Sequence, residues 1–154
     1  MHRRTRIILD ALKHPEAELS ILLVDDPQIG AMNLRFLSRS GPTNVIAFPM
    51  REGRFSDLTP TLLGDVVISV DTAYREARAA GLELEQRLTQ LLVHGILHLC
   101  GYDHEQDAAG ARRMAAQSRA LLKLIEDRLT LEARSPKKKR TKGFIIGPKL
   151  RQGR

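Results

Sequence analysis

Hydrophobic positions along the chain follow two spacings, one typical of β-strands and the other typical of α-helices. Short runs rich in apolar and β-branched residues predict three strands, at residues 18–24, 44–48 and 62–70. Apolar residues at helical spacing predict five helices, at residues 7–12, 27–37, 71–80, 83–99 and 107–131. The order of these elements predicts an α+β domain, in which helices pack on a small mixed β-sheet.

Polar residues at the predicted helix ends indicate where two of the helices begin. Asp25 and Asp26 offer an N-cap to the second helix, and Pro27 suits its first turn. Asp71 is expected to cap the third helix, because it directly follows the β-branched strand, and Gly81 stands just beyond the end of that helix.

Composition and charge divide the chain into two parts. The 154 residues are 42% hydrophobic, which is an ordinary value for one globular domain. Residues 133–154 contain nine of the 25 Lys and Arg residues and none of the 18 Asp and Glu residues. The net charge of +7 therefore separates into +9 on this segment and −2 on the rest. We predict a catalytic domain over residues 1–132 and a basic, disordered tail over residues 133–154, and we exclude a uniformly basic, histone-like protein.

Cysteine content and the N-terminal sequence bear on the cellular compartment. The chain has one cysteine, so it forms no internal disulfide, as suits a reducing cytosol. The apolar run at residues 7–9 ends at Asp10, whereas a signal peptide needs ~7–15 apolar residues and a membrane span needs about 20. We therefore expect a cytoplasmic protein with no membrane partner.

Three of the five histidines fall within eleven residues, at the end of the fourth predicted helix. His94 and His98 are four residues apart, so a helix places both imidazoles on one face, with ~5–6 Å between their Cβ atoms. Gly101 ends this helix and allows the sharp turn that brings His104 back toward the pair. Three imidazoles leave one position of a tetrahedral zinc open, which is typical of a catalytic site. We predict one zinc ion per chain, ahead of nickel, iron or manganese; the alternative is a set of ordinary hydrogen-bonded histidines.

The spacing His-x3-His-x2-Gly-x2-His also matches the long pattern of the metzincin zinc peptidases, with one important difference. Those peptidases have a glutamate, the general base, at the position that Gly95 occupies here. We expect Gly95 instead to leave room for a substrate or a backbone segment beside the metal. Asp103 and Glu105 are candidate replacements for the base, although the sequence places neither of them over the open site.

The same histidine segment carries a resemblance to a known family. Residues 94–104 (His-Gly-Ile-Leu-His-Leu-Cys-Gly-Tyr-Asp-His) resemble, nearly residue for residue, the signature of the YbeY-type bacterial endoribonucleases. Residues 42–49 (Pro-Thr-Asn-Val-Ile-Ala-Phe-Pro) and 63–69 (Leu-Gly-Asp-Val-Val-Ile-Ser) resemble two further strands of that family. The order and spacing of the three segments also agree, and the resemblance covers about residues 17–127.

This resemblance implies an α+β fold and a zinc ion held by His94, His98 and His104. It also implies hydrolysis of single-stranded RNA, maturation of the 3′ end of 16S rRNA, and a part in ribosome quality control. The implied partners are ribosomal RNA and the small ribosomal subunit, with a ribosomal protein or an assembly GTPase as further candidates. Asp65 matches an aspartate of the family, which would support the site or a partner contact; the alternative is a turn or bulge residue next to Gly64.

The resemblance fails at the arginine that is thought to serve the RNA phosphate in this family. Its position holds Leu37 in this chain, and Arg39 stands two residues further on. We consider Arg39 a candidate for reaching the same cleft from a loop, with an ordinary solvated arginine as the alternative.

The tail and the reaction leave alternatives open. The basic tail residues are candidates for holding RNA phosphates, or else form a solubilising extension; they are Lys137, Lys138, Lys139, Arg140 and Lys142.

The nucleophile is either water activated by the metal or the 2′-hydroxyl of the RNA. The alternatives to a zinc endoribonuclease are a zinc peptidase or amidase and a non-catalytic ribosome-assembly factor.

Overall fold

A computed structural model describes residues 1–50, 61–102 and 108–134 of the chain. Over these residues the elements are α1 (His2–Ala11), β1 (Glu18–Val24), α2 (Asp26–Leu37), β2 (Val45–Pro49), β3 (Leu62–Ser69), α3 (Val70–Ala80), α4 (Leu84–Leu99) and α5 (Ala108–Arg134). Their types and order confirm the predicted α+β fold. No helix in the described ranges is both long and apolar enough to cross a membrane.

The three strands form one mixed sheet in the order β1-β3-β2. The central strand, β3, pairs in parallel with β1 and antiparallel with β2. It is also the most buried strand, because both faces of the sheet are covered there. Val66 and Ile68 belong to the main core, on the side of α4, whereas Val67 packs with Ile29 of α2 and Ile46 of β2 in a smaller cluster on the other side.

The helix α4 lies at the centre of the molecule and packs against the sheet, α3 and α5. Its segment from Leu91 to Leu99 is buried except at two positions, His94 and His98, which are half-buried. A helix enclosed by apolar neighbours on most of its surface is held rigidly, because repacking it would open cavities. The two histidines are therefore fixed on a stripe of α4 that the core leaves accessible.

Two helix ends differ from the predictions by three residues or more. The first helix begins at His2 instead of residue 7, and its polar first turns are held by tertiary contacts such as the ion pair of Arg4 with Glu85 on α4. The last helix continues to Arg134, beyond the predicted end at residue 131. The predicted division of the chain at residue 132 stays a prediction.

Ser69, and not the predicted Asp71, caps α3. The Ser69 hydroxyl accepts a hydrogen bond from the backbone N–H of Thr72, and the strand ends one residue earlier than predicted. Asp71 lies in the first turn of α3 and accepts a hydrogen bond from the backbone N–H of Asp26 at 3.0 Å. The Asp71 side chain thus joins the start of α3 to the start of α2 and does not cap its own helix.

Candidate metal centre and its cleft

The side chains of His94 and His98 converge. Their Nε2 atoms lie 3.1 Å apart, and the two rings meet edge to face with centroids 4.7 Å apart. The spacing of four residues on α4 gives this arrangement directly, as the sequence predicts. Both side chains are half-buried, so the pair lies at the border between the core and solvent.

The distance between the two nitrogens suits two ligands of one metal ion. Two imidazole nitrogens bound to zinc at ~2.0–2.1 Å with a tetrahedral angle lie ~3.3 Å apart. The same distance also permits an N–H···N hydrogen bond if one ring is protonated on Nε2. Neutral imidazole nitrogens are ligands that zinc prefers, so the donor set and its geometry both fit zinc.

The third predicted ligand, His104, lies outside the described residues, as do the candidate bases Asp103 and Glu105. Within the described ranges, no group of three or more His, Cys, Asp or Glu side chains is arranged to hold a metal ion. The three-histidine site therefore stays a prediction, with two of its members brought together by α4.

The expectation that Gly95 leaves room for a substrate is wrong, because this residue faces the sheet. A Cβ built on Gly95 would lie 2.6 Å from Cγ1 of Val66 on β3 and 3.4 Å from Cγ2 of Val45 on β2. The space beside Gly95 is therefore filled by the side chains of the sheet and does not admit a substrate. The glycine allows α4 to lie close to β3.

Asp65 lies on β3, in register with Ser20 of β1 and Phe48 of β2. Successive residues of a strand point to opposite faces, so Asp65 shares the face of Val67, while Val66 packs against α4. The structure therefore does not bring Asp65 to the histidine pair. The register between β1 and β3 shifts just before it, between Glu18 and Leu19, and the role of Asp65 stays a prediction.

Arg39 is exposed in the loop that follows α2. Its backbone N–H donates to the carbonyl oxygen of Asn33 at 3.2 Å, and the loop is held further by the Asn33 side chain, which donates to the Gly41 carbonyl at 2.9 Å. Leu37, where the resemblance implies an arginine, is the last residue of α2 and is 43% exposed. Arg39 thus has the exposure that a phosphate contact needs, and its role stays a prediction.

A cleft of about 290 Å³ opens beside His94. It lies between α4, α5 and the start of β2, and its lining combines polar and apolar side chains, namely Asn44, Val45, Arg87, Gln90, Leu91, His94, Ser118 and Leu122. The volume is comparable to that of a small ligand pocket. A molecule in this cleft would contact the ring of His94.

Polar side chains along one wall of this cleft form a hydrogen-bonded network. Arg87 donates from Nε to Oε2 of Glu76 at 2.9 Å and from a terminal nitrogen to Oε1 of Gln90 at 2.8 Å. The amide of Asn44 donates to Oε1 of Glu76 at 3.0 Å. Glu76 therefore joins α3 to α4 and to the loop before β2, and it fixes the guanidinium of Arg87.

The sequence predictions did not include these cleft residues. Arg87 and Gln90 lie seven and four residues before His94, so the helical spacing that identified His94 and His98 would have found them on the same stripe. Asn44 and Ser118 carry no such signal, because they are far away in the sequence. The predicted tail residues 137–142 lie outside the described residues.

Comparison with known proteins agrees with this arrangement. A sequence profile described as "Endoribonuclease YbeY" matches residues 2–126, which span every described element except the end of α5. The chain belongs to the YbeY endoribonuclease family. Family membership confirms the predicted enzyme class, a hydrolase that acts on phosphodiester bonds within RNA.

Relatives in the YbeY family match most of the chain. Endoribonuclease YbeY of Geobacter sulfurreducens is 50% identical over 121 residues, covering 78% of this chain and 81% of the relative. That of Syntrophotalea carbinolica is 51% identical, again covering 78% of this chain and 81% of the relative. The solution structure of TM1509 from Thermotoga maritima is similar, with a TM-score of 0.59 and 25% identity over 90% of this chain and 89% of that one.

Proposed function

We propose that this protein is a zinc-dependent endoribonuclease that cleaves single-stranded RNA in the maturation of the 16S rRNA 3′ end and in ribosome quality control. The convergence of the His94 and His98 Nε2 atoms beside an open cleft is the observation that carries the proposal. Membership of the YbeY endoribonuclease family supplies the reaction class.

His94, His98 and His104 would hold one zinc ion. The first two fit by donor type and by the separation of their nitrogens, and the third fits by its spacing after the turn at Gly101, where φ is +85°. When bound, zinc would polarise a phosphoryl oxygen and lower the pKa of a water ligand toward ~7. The protein's own contribution is positional: the buried faces of α4 hold both imidazoles in place before a substrate arrives.

The structure argues against a metzincin-like peptidase. In that class the residue after the first histidine is the glutamate that acts as general base. Here the corresponding position, Gly95, faces Val66 in the sheet, so a side chain at this point of α4 would collide with β3. A base for this enzyme has to come from another part of the chain, from water or from the RNA itself.

The proposed partners are ribosomal RNA and the small ribosomal subunit, in the cytoplasm, with a ribosomal protein or an assembly GTPase as further partners. The basic tail is proposed to add phosphate contacts, because its charge of +9 complements a polyanion. The domain itself carries −2, so its selection of RNA depends on the local cleft and not on its overall charge.

RNA cleavage by defined variants tests the proposal. Purified zinc-loaded protein is incubated with a single-stranded RNA that spans the 3′ end of precursor 16S rRNA, with a chelator control. We expect cleavage by the wild type and its loss in His94→Ala, while His2→Ala, which replaces an exposed histidine, stays active. A folded His94→Ala variant with undiminished activity would exclude the proposed centre, and inert but zinc-loaded wild type would favour the assembly-factor alternative.

A single 2′-deoxy substitution in the RNA distinguishes the two possible nucleophiles. If the 2′-hydroxyl attacks, this substitution at the cleaved nucleotide blocks the reaction, and the normal products carry cyclic phosphate ends. If a metal-activated water attacks, the deoxy substrate is still cleaved.

A further inference from the structure

The cleft beside His94 has features that the hydrolytic reaction alone does not explain. Its volume of about 290 Å³ equals that of about ten water molecules, whereas one attacking water needs only ~30 Å³. It extends along α4 from His94 to Arg87, a distance of nearly two helical turns. The cleft is therefore large enough to hold part of the substrate next to the proposed metal centre.

The charge of the cleft wall argues against a phosphate as its occupant. Among the lining residues that the structure describes, Arg87 carries the permanent positive charge, and its guanidinium is paired with the carboxylate of Glu76 at 2.9 Å. Because the ion pair is neutral as a whole, a phosphate entering the cleft would gain little electrostatic attraction from Arg87. It would also be repelled by the Glu76 carboxylate. The occupant is expected to be an uncharged group with several hydrogen-bonding atoms.

The remaining lining residues suit a flat ring that carries polar atoms along its edge. Asn44, Gln90 and Ser118 present amide and hydroxyl groups, which hydrogen-bond to base edges in RNA-binding proteins. Val45, Leu91 and Leu122 offer apolar surface, against which the faces of a ring pack. Side chains of both kinds from three separate elements enclose the same space.

We propose that this cleft is a nucleobase pocket, which binds the base of the nucleotide that adjoins the cleaved phosphodiester. The inference rests on the proposed function, because it takes His94 to be a ligand of the metal at which the phosphodiester is cleaved. His94 lines the pocket and is also a proposed metal ligand. A base in the pocket therefore places its own phosphate close to the metal centre. Arg87 acts as a positioning residue, fixed by Glu76, that orients the amide of Gln90.

Abasic substitutions in the RNA test the pocket. Each nucleotide around the cleavage site is replaced in turn by an abasic one, and Kd is measured by fluorescence anisotropy alongside kcat/KM. We expect the wild type to lose about tenfold in affinity at one nucleotide next to the cut, because hydrogen bonds and apolar contacts to the base are lost there. A wild type that binds all abasic substrates equally would overturn the proposal.

Two variants on α5 sharpen this test. Ser118→Phe fills the pocket, so intact and abasic RNA should bind equally weakly, and the tenfold difference should disappear. Ala116→Phe adds the same ring at an exposed position of the same helix and should keep the difference. If the difference survives in Ser118→Phe, the base lies elsewhere and the proposal is wrong.

The controls separate failure of the pocket from failure of the proposed function. Zinc content and circular dichroism are recorded for each variant, and Gln90→Leu replaces Ser118→Phe if the latter does not fold. Binding differences are measured even if no RNA is cut, so loss of cleavage in the wild type counts against the proposed function alone. Normal cleavage without a position-specific abasic effect counts against the pocket alone.

Discussion

Gly95 on α4 and Val66 on β3 are in direct contact, with no room for a side chain between them. A Cβ at position 95 would lie 2.6 Å from Cγ1 and 3.2 Å from Cγ2 of Val66, which is fully buried. We predict that Gly95→Ala lowers the free energy of unfolding by about 1–3 kcal/mol, because the overpacked side chain has to displace the sheet. Urea denaturation followed by circular dichroism measures this change.

Gly30→Ala is the matched control, since Gly30 also lies inside a helix. Its added Cβ would meet Pro42 and Gly41 only at 3.5 Å and beyond, which is ordinary contact. We expect the free energy of unfolding not to fall, and to rise by up to about 1 kcal/mol because alanine has the higher helix propensity. Equal effects of the two substitutions would mean that the contact with Val66 is not what requires glycine at position 95.

Zinc is expected to stabilise the folded protein, because it binds the convergent histidines and not the unfolded chain. At a free zinc concentration a hundredfold above Kd, the free energy of unfolding should rise by about 3 kcal/mol, which corresponds to about 5–10 °C in Tm. Thermal unfolding with zinc and with chelator should show this shift in the wild type and in His2→Ala, but not in His94→Ala or His98→Ala. A full shift in either of the last two variants would contradict the assignment of ligands.

Asp26 is expected to make the stability pH-dependent in acid. Hydrogen bonds from the hydroxyls of Ser69 and Thr72, at 2.5 and 2.6 Å, and the Arg75 guanidinium lower the pKa of Asp26 from 3.8 to about 2. The ionised carboxylate therefore stabilises the fold above about pH 4, and this contribution is lost as the pH falls toward 2.

Asp26→Asn should consequently be less stable than the wild type at pH 7, with a difference that shrinks between pH 4 and pH 2. Urea denaturation at several pH values measures the difference, and Asp127→Asn, which removes an exposed carboxylate of α5, serves as the control. A difference that stays constant down to pH 2 would show that the charge of Asp26 contributes nothing.

Asn33 holds the loop that carries Arg39. Its side chain is only 5% exposed, and Nδ2 donates to the carbonyl oxygen of Gly41 at 2.9 Å. Asn33→Asp keeps the shape of the side chain but replaces this donor with an acceptor. We therefore expect the free energy of unfolding to fall by about 1–3 kcal/mol at pH 7. Denaturation measures the loss, and hydrogen exchange of the loop amides at residues 38–41 should accelerate. Unchanged stability and exchange would show that the loop does not depend on this bond.

Deletion of residues 135–154 tests the tail. We expect folding and zinc binding to persist, while RNA affinity falls, because the deletion removes eight basic residues. The slope of log Kd against log salt concentration should decrease by up to ~6 if all eight contact phosphates of single-stranded RNA. An unchanged slope would show that the tail does not contribute to binding.

Several features of this protein are determined by the sequence through short-range geometry. The helical period alone places His94 and His98 on one face, whatever surrounds α4. The run rich in β-branched residues at 62–70 similarly predicts a strand, because such residues favour the extended backbone. The histidine signature and the two strand segments also identify the family, since they preserve order and spacing over most of the chain.

Other features depend on contacts between residues that are far apart in the sequence. Asn44, Arg87 and Ser118 form one cleft only because α4 packs between β2 and α5, and no local pattern predicts that arrangement. The direction in which Gly95 faces was likewise decided by the packing of α4 on β3. The sequence determined which residues share a face of each element, because that follows from backbone geometry; the tertiary structure decided what each face meets, because close packing selects the partners.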